Sequence, residues 1–411
     1  MPASGRAANS PGLARATAPL FVNIALVTET FPPEVNGVAM TLRRLVEGVA
    51  ARGSQITVVR PRQKADKIAA ARGAAGAELS YREWLVPGVA LPRYEGLMMG
   101  LPATTGLRRR WERERPDVVH IATEGPLGWS ALAAARKLGL PLSSSFHTNF
   151  HQYGKHYGYG ALIEVAVAYL RTFHNLTQTT MVPTHQMSRE LAAQHFQNLA
   201  VVSRGVDPRL FDPARRSDAL RRTWGAGPGD PVYLYVGRLA KEKNIDLAVS
   251  AFLAARERSP RAQFVLVGDG PESSALRRRY PDFHFAGLRR GEDLAAHYAS
   301  GDVFLFPSVT ETFGNVVTEA LGSGLVVVTY DYAAGREHIR PNENGILARF
   351  DDAAHFRAMA AEVGARPGDW PRLRAAARAT ALTVTWDAIV DRFHETLRQV
   401  AMRSAVKVPS V

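Results

Sequence analysis

Glu311-Thr312-Phe313-Gly314-Asn315-Val316-Val317-Thr318-Glu319 follows the apolar run Asp302-Val303-Phe304-Leu305-Phe306-Pro307-Ser308 and precedes Ala320-Leu321-Gly322-Ser323-Gly324. That order reads as strand, loop, helix start. Gly314 and Asn315 then stand where a helix N-terminus presents unpaired N–H groups to an anion. Of the two carboxylates, Glu311 falls in the loop and Glu319 about two turns along the helix.

The same alternation recurs on both sides of this stretch. Pro231 to Val236 is a strand ending in Gly237-Arg238-Leu239-Ala240-Lys241-Glu242-Lys243-Asn244, and Ile245, Leu247, Ala248, Ala251 and Phe252 make a helical face. Phe264 to Val267 is another strand, closed by Gly268-Asp269-Gly270-Pro271, with more at Phe283 to Phe285 and Leu325 to Thr329. Strands that are apolar along their whole length and separated by helices are parallel and covered on both faces. The second half of the chain is therefore expected to be a doubly wound α/β domain.

The first half begins in the same way. Val22 to Val27 is a strand, Gly37 opens a helix with Val38, Leu42, Leu45, Val46 and Val49 at helical spacing, Gly53 stops it, and Ile56 to Val59 is the next strand. Gly37 thus lies at the mouth of the first helix, where a phosphate prefers to sit. Val118 to Ile121 is a buried strand, and Leu140 to Phe146 leads into a polar and aromatic cluster, His147 to Tyr153. His147 and His151 are four apart in an expected loop with no carboxylate beside them, so no metal site is expected. Val201 to Pro208 is punctuated like a linker. A last amphipathic helix, from about Asp387 to Met402, is placed by chain order to cross back to the first domain.

At 411 residues the chain is long enough for two cores. It has no cysteine, which excludes disulfides, thiolate metal sites and a cysteine nucleophile, and fits a reducing compartment. No apolar run has membrane-spanning length, and residues 1–20 read as a flexible leader instead of a secretory signal. A net charge of +13 implies an anionic partner: nucleic acid, an anionic lipid surface or a phosphorylated ligand. Gly106 to Arg115 carries five arginines and two glutamates around Leu107 and Trp111. It is either an exposed crossover helix docked by those two residues or a membrane-surface helix with arginines over anionic headgroups. Basic nucleic-acid binding is the weaker alternative, since the cations are not interleaved with aromatics in a recognised module.

Arg238 and Lys243 in one loop, the N–H groups at Gly314 and Asn315, and Gly37 facing them describe a cradle for a diphosphate that uses cations in place of a metal. Glu319 would accept from a ribose diol, and Glu311 would face the transferred group. Gly268-Asp269-Gly270 either lets a nucleobase approach the backbone or is a plain strand-to-helix turn.

On these motifs the chain resembles family-4 retaining glycosyltransferases of the GT-B fold. The resemblance rests on Glu311 to Glu319, Val236-Gly237-Arg238-Leu239 with Lys243, Val267-Gly268-Asp269-Gly270 and Ser203-Arg204-Gly205-Val206-Asp207. Thr28 to Val38, Ala122 to Gly128 and Phe146 to Phe150 are similar to the branch holding GDP-mannose-dependent α-mannosyltransferases and glycolipid glycosyltransferases. The resemblance implies two Rossmann-like domains facing a cleft: an acceptor domain at 21–205 joined by the helix 386–404, and a donor domain at 206–385. It implies Arg238 and Lys243 on the diphosphate, Glu319 on the ribose, Glu311 with Phe313, Gly314 and Asn315 at the donor sugar, and His147 near the sugar hydroxyls. The reaction implied is metal-independent transfer, with retention, of a hexosyl unit from a nucleotide sugar, GDP-mannose or a UDP-sugar, with no cofactor. The acceptor implied is a lipid or glycan at the cytoplasmic face of an anionic membrane. The alternative within the class is a UDP-sugar enzyme acting on diacylglycerol or a soluble glycan. His151 stands where many relatives have Asp.

Overall fold

The structure is a computed structural model, and it describes residues 21–34, 36–64, 66, 80–90, 98–147 and 160–405. The expected leader, Thr148 to Phe150 and His151 lie outside the described residues.

The first sheet contains β1 (Asn23–Val27), β2 (Gln55–Pro61), β3 (Arg82–Val86), β6 (Val118–Ile121), β7 (Leu142–Ser145), β8 (Thr179–Val182) and β9 (Leu199–Val201). A two-stranded antiparallel pair, β4 (Gly88–Ala90) and β5 (Met98–Gly100), stands apart from it. The second sheet contains β10 (Val232–Val236), β11 (Gln263–Val267), β12 (His284–Gly287), β13 (Val303–Phe306), β14 (Val326–Tyr330) and β15 (Ile346–Ala348). Their orders are β3-β2-β1-β6-β7-β8-β9 and β12-β11-β10-β13-β14-β15, with parallel pairing throughout both. Each sheet therefore starts in its middle and winds outward in both directions, the doubly wound arrangement. In the second sheet β10 and β13 read as unbroken apolar runs because both faces are covered: every residue of β10, β13 and β14 is buried.

Two sequence expectations shift in detail. Val201, expected in the linker, ends the edge strand β9, and the linker proper begins after it. The helix after β13 is Asn315–Gly322, so Glu319 stands little more than one turn from its start, not two. Gly314 at φ +92° sets that start, since a left-handed residue cannot be the first turn of a right-handed helix.

The last helix, Trp386–Ala405, crosses back to the first domain. Ile389, Val390, Phe393, Leu397 and Val400 share a core with Leu42, Val46 and Val49 of the Gly37–Ala51 helix. Gly48 is needed there, because a Cβ would lie 2.6 Å from the Val390 side chain.

Part of the positive charge is internal. Asp302, at the foot of β13, is held by Arg216 at 2.9 Å and Arg221 at 3.0 Å, with Arg374 at 3.4 Å. Arg378 donates to the carbonyls of Phe211 and Gly322, closing the C-terminus of the Asn315–Gly322 helix. In the Thr104–Glu114 helix, Leu107 and Trp111 are buried in the first-domain core. Arg108 and Arg110 pair with Glu112 and Glu114, and Arg110 also covers the Trp84 ring. The docked reading therefore describes this helix. Its apolar stripe faces inward and cannot enter a bilayer, so any membrane contact it makes is by charge.

Candidate active site

Open parallel sheets bind ligands beyond the strand C-termini, where the winding direction changes. In the first domain that point lies between β1 and β6, and in the second between β10 and β13. The loops leaving β1, β10 and β13 carry Gly37, Arg238 with Lys243, and Glu311 to Gly314 respectively. One topological rule thus brings three separate sequence motifs to the same crevice.

On the second domain the charged groups of the motif are already paired. Lys243 Nζ donates to Glu311 Oε1 at 2.6 Å, and Ser308 Oγ donates to the same oxygen at 2.8 Å. Both members of this ion pair are largely covered. Tyr332 Oη donates to the Glu311 carbonyl at 2.7 Å and fixes the loop. Arg238 is 64% exposed and pairs with Glu242 at 3.1 Å, so its guanidinium is free to turn toward an incoming anion. Glu319 Oε2 accepts from Tyr298 Oη at 2.9 Å. Burial pushes its carboxyl up to about 7, against which the tyrosine hydrogen bond acts.

Phe313 is buried, with its ring edge against His338. Asn315 begins the helix, and its buried Oδ1 has no partner among the described residues. Gly268 is explained by packing: at φ +131°, a Cβ there would lie 2.0 Å from the Gly237 carbonyl oxygen. Gly270 is similarly pressed against the Leu239 carbonyl oxygen, at 2.4 Å. The plain-turn reading of this segment therefore has a contact behind it.

On the other wall, Asn36 caps the Gly37–Ala51 helix by accepting from Val38 and Ala39, which leaves Gly37 exposed at the mouth. His147 follows β7 and touches the second domain, its carbonyl accepting from Thr312 Oγ1 at 3.3 Å. Both of its ring nitrogens are buried and unpartnered among the described residues. Burial holds the imidazole well below its usual range, helped by the Arg204 charge and by His120 and His174, so the ring is neutral. A neutral imidazole donates from one nitrogen and accepts at the other, a match for vicinal hydroxyls. Glu29 caps the Pro126–Lys137 helix through Leu127 N–H at 3.0 Å, and burial lifts its carboxyl to about 7.

Between the walls, a cavity of about 180 Å³ is lined by Gln186, Met187 and Glu190 on one side and Glu311, Thr312 and Tyr332 on the other. His185 and Glu337 bridge the domains beside it, Nδ1 to Oε1 at 2.6 Å. No cluster of metal-ligating side chains occurs among the described residues.

Two residues with contacts in the crevice carry no role in the sequence reading. Tyr298 holds Glu319 from a different helix, Gly291–Ser300, and nothing in local spacing marks it. In the sequence Arg204 stands out only as part of the linker motif. It is buried, and its guanidinium carbon lies 6.0 Å from the centre of the Phe313 ring.

The sequence matches Glycosyltransferase Family 4 over residues 35–210 and Glycosyl transferases group 1 over residues 230–364. It is 34% identical over 390 residues to a GDP-mannose-dependent alpha-mannosyltransferase of Mycolicibacterium smegmatis, covering 93% of this chain and 100% of that protein. An alpha-monoglucosyldiacylglycerol synthase of Acholeplasma laidlawii is 26% identical, covering 75% of this chain and 81% of its own. Among solved structures, sucrose-phosphate synthase from Thermosynechococcus elongatus superposes with a TM-score of 0.72 at 18% identity, covering 92% of this chain and 99% of that one. The fold is GT-B. The chain belongs to the family-4, group 1 glycosyltransferases and is a hexosyltransferase, which sets aside the nucleic-acid reading.

Proposed function

With that membership as the premise, we propose that this enzyme moves an α-mannosyl unit from GDP-mannose, with retention, to a lipid or glycan acceptor at the cytoplasmic face of a membrane. The observation that carries the reading is the Lys243–Glu311 pair, held at 2.6 Å beside the mouth of the Asn315–Gly322 helix. A sugar diphosphate laid there presents phosphate to the cation and sugar hydroxyls to the carboxylate. The whole-length likeness to a GDP-mannose-dependent relative supports the choice of donor.

Arg238 and Lys243 bind the diphosphate, and Gly314 and Asn315 add helix N–H groups. Glu319, released from Tyr298, accepts from the ribose hydroxyls. Glu311, Phe313 and His147 surround the sugar. The bond from the anomeric carbon to the distal phosphate oxygen breaks, and its electron pair leaves on that oxygen. The acceptor oxygen forms its bond on the same face, and its proton passes to the departing phosphate. Gly37 closes over the phosphate from the first domain.

A lipid acceptor is favoured by the exposed Val165 and Tyr169, four apart on the Gly160–Asn175 helix. Among the described residues no helix is long and apolar enough to cross a membrane, so contact with one would be peripheral. The diacylglycerol-named relative favours a second reading, a UDP-sugar donor with diacylglycerol as acceptor. A screen of nucleotide sugars with membrane lipid extract separates the two, reading the product and its anomeric configuration. We expect an α-mannoside from GDP-mannose, and transfer from no nucleotide sugar would overturn both readings.

A further inference from the structure

We propose that Arg204, together with the mouth of the Gly37–Ala51 helix, forms a subsite for the distal phosphate of the donor, and that this arginine stabilises the leaving group as a third cation beside Arg238 and Lys243. The proposal deepens the nucleotide-sugar reading and rests on it.

Arg204 is the linker residue that both domains face. It is 6% exposed, and its Nη2 is buried with no partner among the described residues. A Cβ built on Gly37 would lie 4.0 Å from its Nη1, which places the guanidinium directly in front of the helix mouth. Phe313, from the Glu311 motif, has its ring centre 6.0 Å from the guanidinium carbon. Among the described residues the carboxylate that favours its charge is Glu311, whose Oε1 already accepts from Lys243 and Ser308.

Burial lowers the guanidinium to about 10, so it still carries its charge at neutral pH. A buried cation without its own carboxylate is costly unless an anion completes it. The helix N-terminus offers its positive dipole and the Gly37 N–H to the same anion, since Asn36 already takes the Val38 and Ala39 N–H groups. The ligand that fits is therefore a phosphate group, and its place between the domains makes it the one next to the transferred sugar. When the bond to the sugar breaks, negative charge develops on the phosphate oxygen that departs. A fixed guanidinium at that point stabilises the developing charge without reorganisation. Arginine suits the role better than lysine, since its planar fork can hold two phosphate oxygens together.

The test is calorimetric titration of the full chain with GDP and with GMP, the latter lacking the distal phosphate. In Arg204→Met we expect GDP affinity to fall about ten-fold and GMP affinity to stay within about two-fold. Arg204→Lys should recover part of the loss. An unchanged preference for GDP over GMP in Arg204→Met overturns the proposal, as does an equal loss for both ligands, which would mark a merely structural arginine. If Arg204→Met does not fold, Gly37→Ala decides. Its added methyl makes only ordinary contact in the unliganded protein but occupies the phosphate space, so the preference for GDP should shrink in the same way; a preserved preference rules the subsite out. Failure of the wild type to bind GDP or UDP would instead sink the donor reading beneath it. If the wild type prefers UDP, the same comparison is made with UDP and UMP.

Discussion

The two walls of the crevice differ in how their polar groups are satisfied. On the second domain Lys243, Glu311 and Ser308 complete one another, and Glu319 has Tyr298. Across the crevice, His147 has both ring nitrogens, and Arg204 its Nη2, without a partner among the described residues. One wall must exchange existing partners to take a donor, whereas the other holds buried groups that a donor would complete. Removing a residue from the paired wall should therefore harm the free protein as well as the reaction. Removing one from the unpaired wall should harm the reaction and relieve the protein.

The largest effect expected is at Lys243. Lys243→Met removes a contact to the developing phosphate charge and leaves Glu311 without its cation. We expect kcat/KM to fall roughly 10²- to 10³-fold with a small loss of stability, on the order of 1 kcal/mol because the pair is partly solvated. Steady-state kinetics and urea unfolding measure both. A variant as active as wild type would break the comparison at its strongest point.

At Arg204 the signs should separate. Arg204→Met is expected to stabilise the free protein by about 1–2 kcal/mol, by removing a buried cation that has no carboxylate of its own. Urea midpoints without nucleotide check this, and destabilisation would show that the residue is already satisfied in the resting enzyme.

The smallest effect on the reaction at neutral pH is a dependence on pH at Glu319, which has a neutral partner where Glu311 has a cation. Its carboxyl is raised from 4.5 to about 7 by burial, so between those values the folded protein holds a proton that the unfolded chain releases. Stability through this group is therefore present below about pH 4.5 and declines as pH rises to about 7. The loss is on the order of 1–3 kcal/mol. Glu29 titrates in the same window, so the contrast that matters is wild type against Glu319→Gln, which should flatten part of the slope. An identical slope in the variant would remove Glu319 from this role. Donor affinity should rise over the same window, because the ribose hydroxyls require the ionised carboxylate.

What could be read from sequence follows from how local each signal is. The strands β10 and β13 are unbroken apolar runs, and β1 and β6 are broken only at Asn23 and His120; the glycines and cations that follow β1, β10 and β13 lie in the loops that topology brings to the cleft. The three-residue strands β9 and β15 lie at the sheet edges, and their composition hardly distinguishes them from linker and loop. Spacing places Glu319 too far along its helix because the start is set by the left-handed Gly314, a conformation that spacing does not show. Tyr298 and the Gly237 carbonyl against Gly268 are long-range contacts without a local pattern. Arg204 was legible as a motif letter but not as a buried cation, because burial of a linker residue depends on how both domains close around it.

The most direct test is a crystal structure of the enzyme with GDP, read at the Lys243–Glu311 pair. We expect Nζ to have left Glu311 for a phosphate oxygen, with the distal phosphate between Arg204 and Gly37. A nucleotide bound elsewhere, with Lys243 and Glu311 still 2.6 Å apart, would contradict the assignment of this crevice as the donor site.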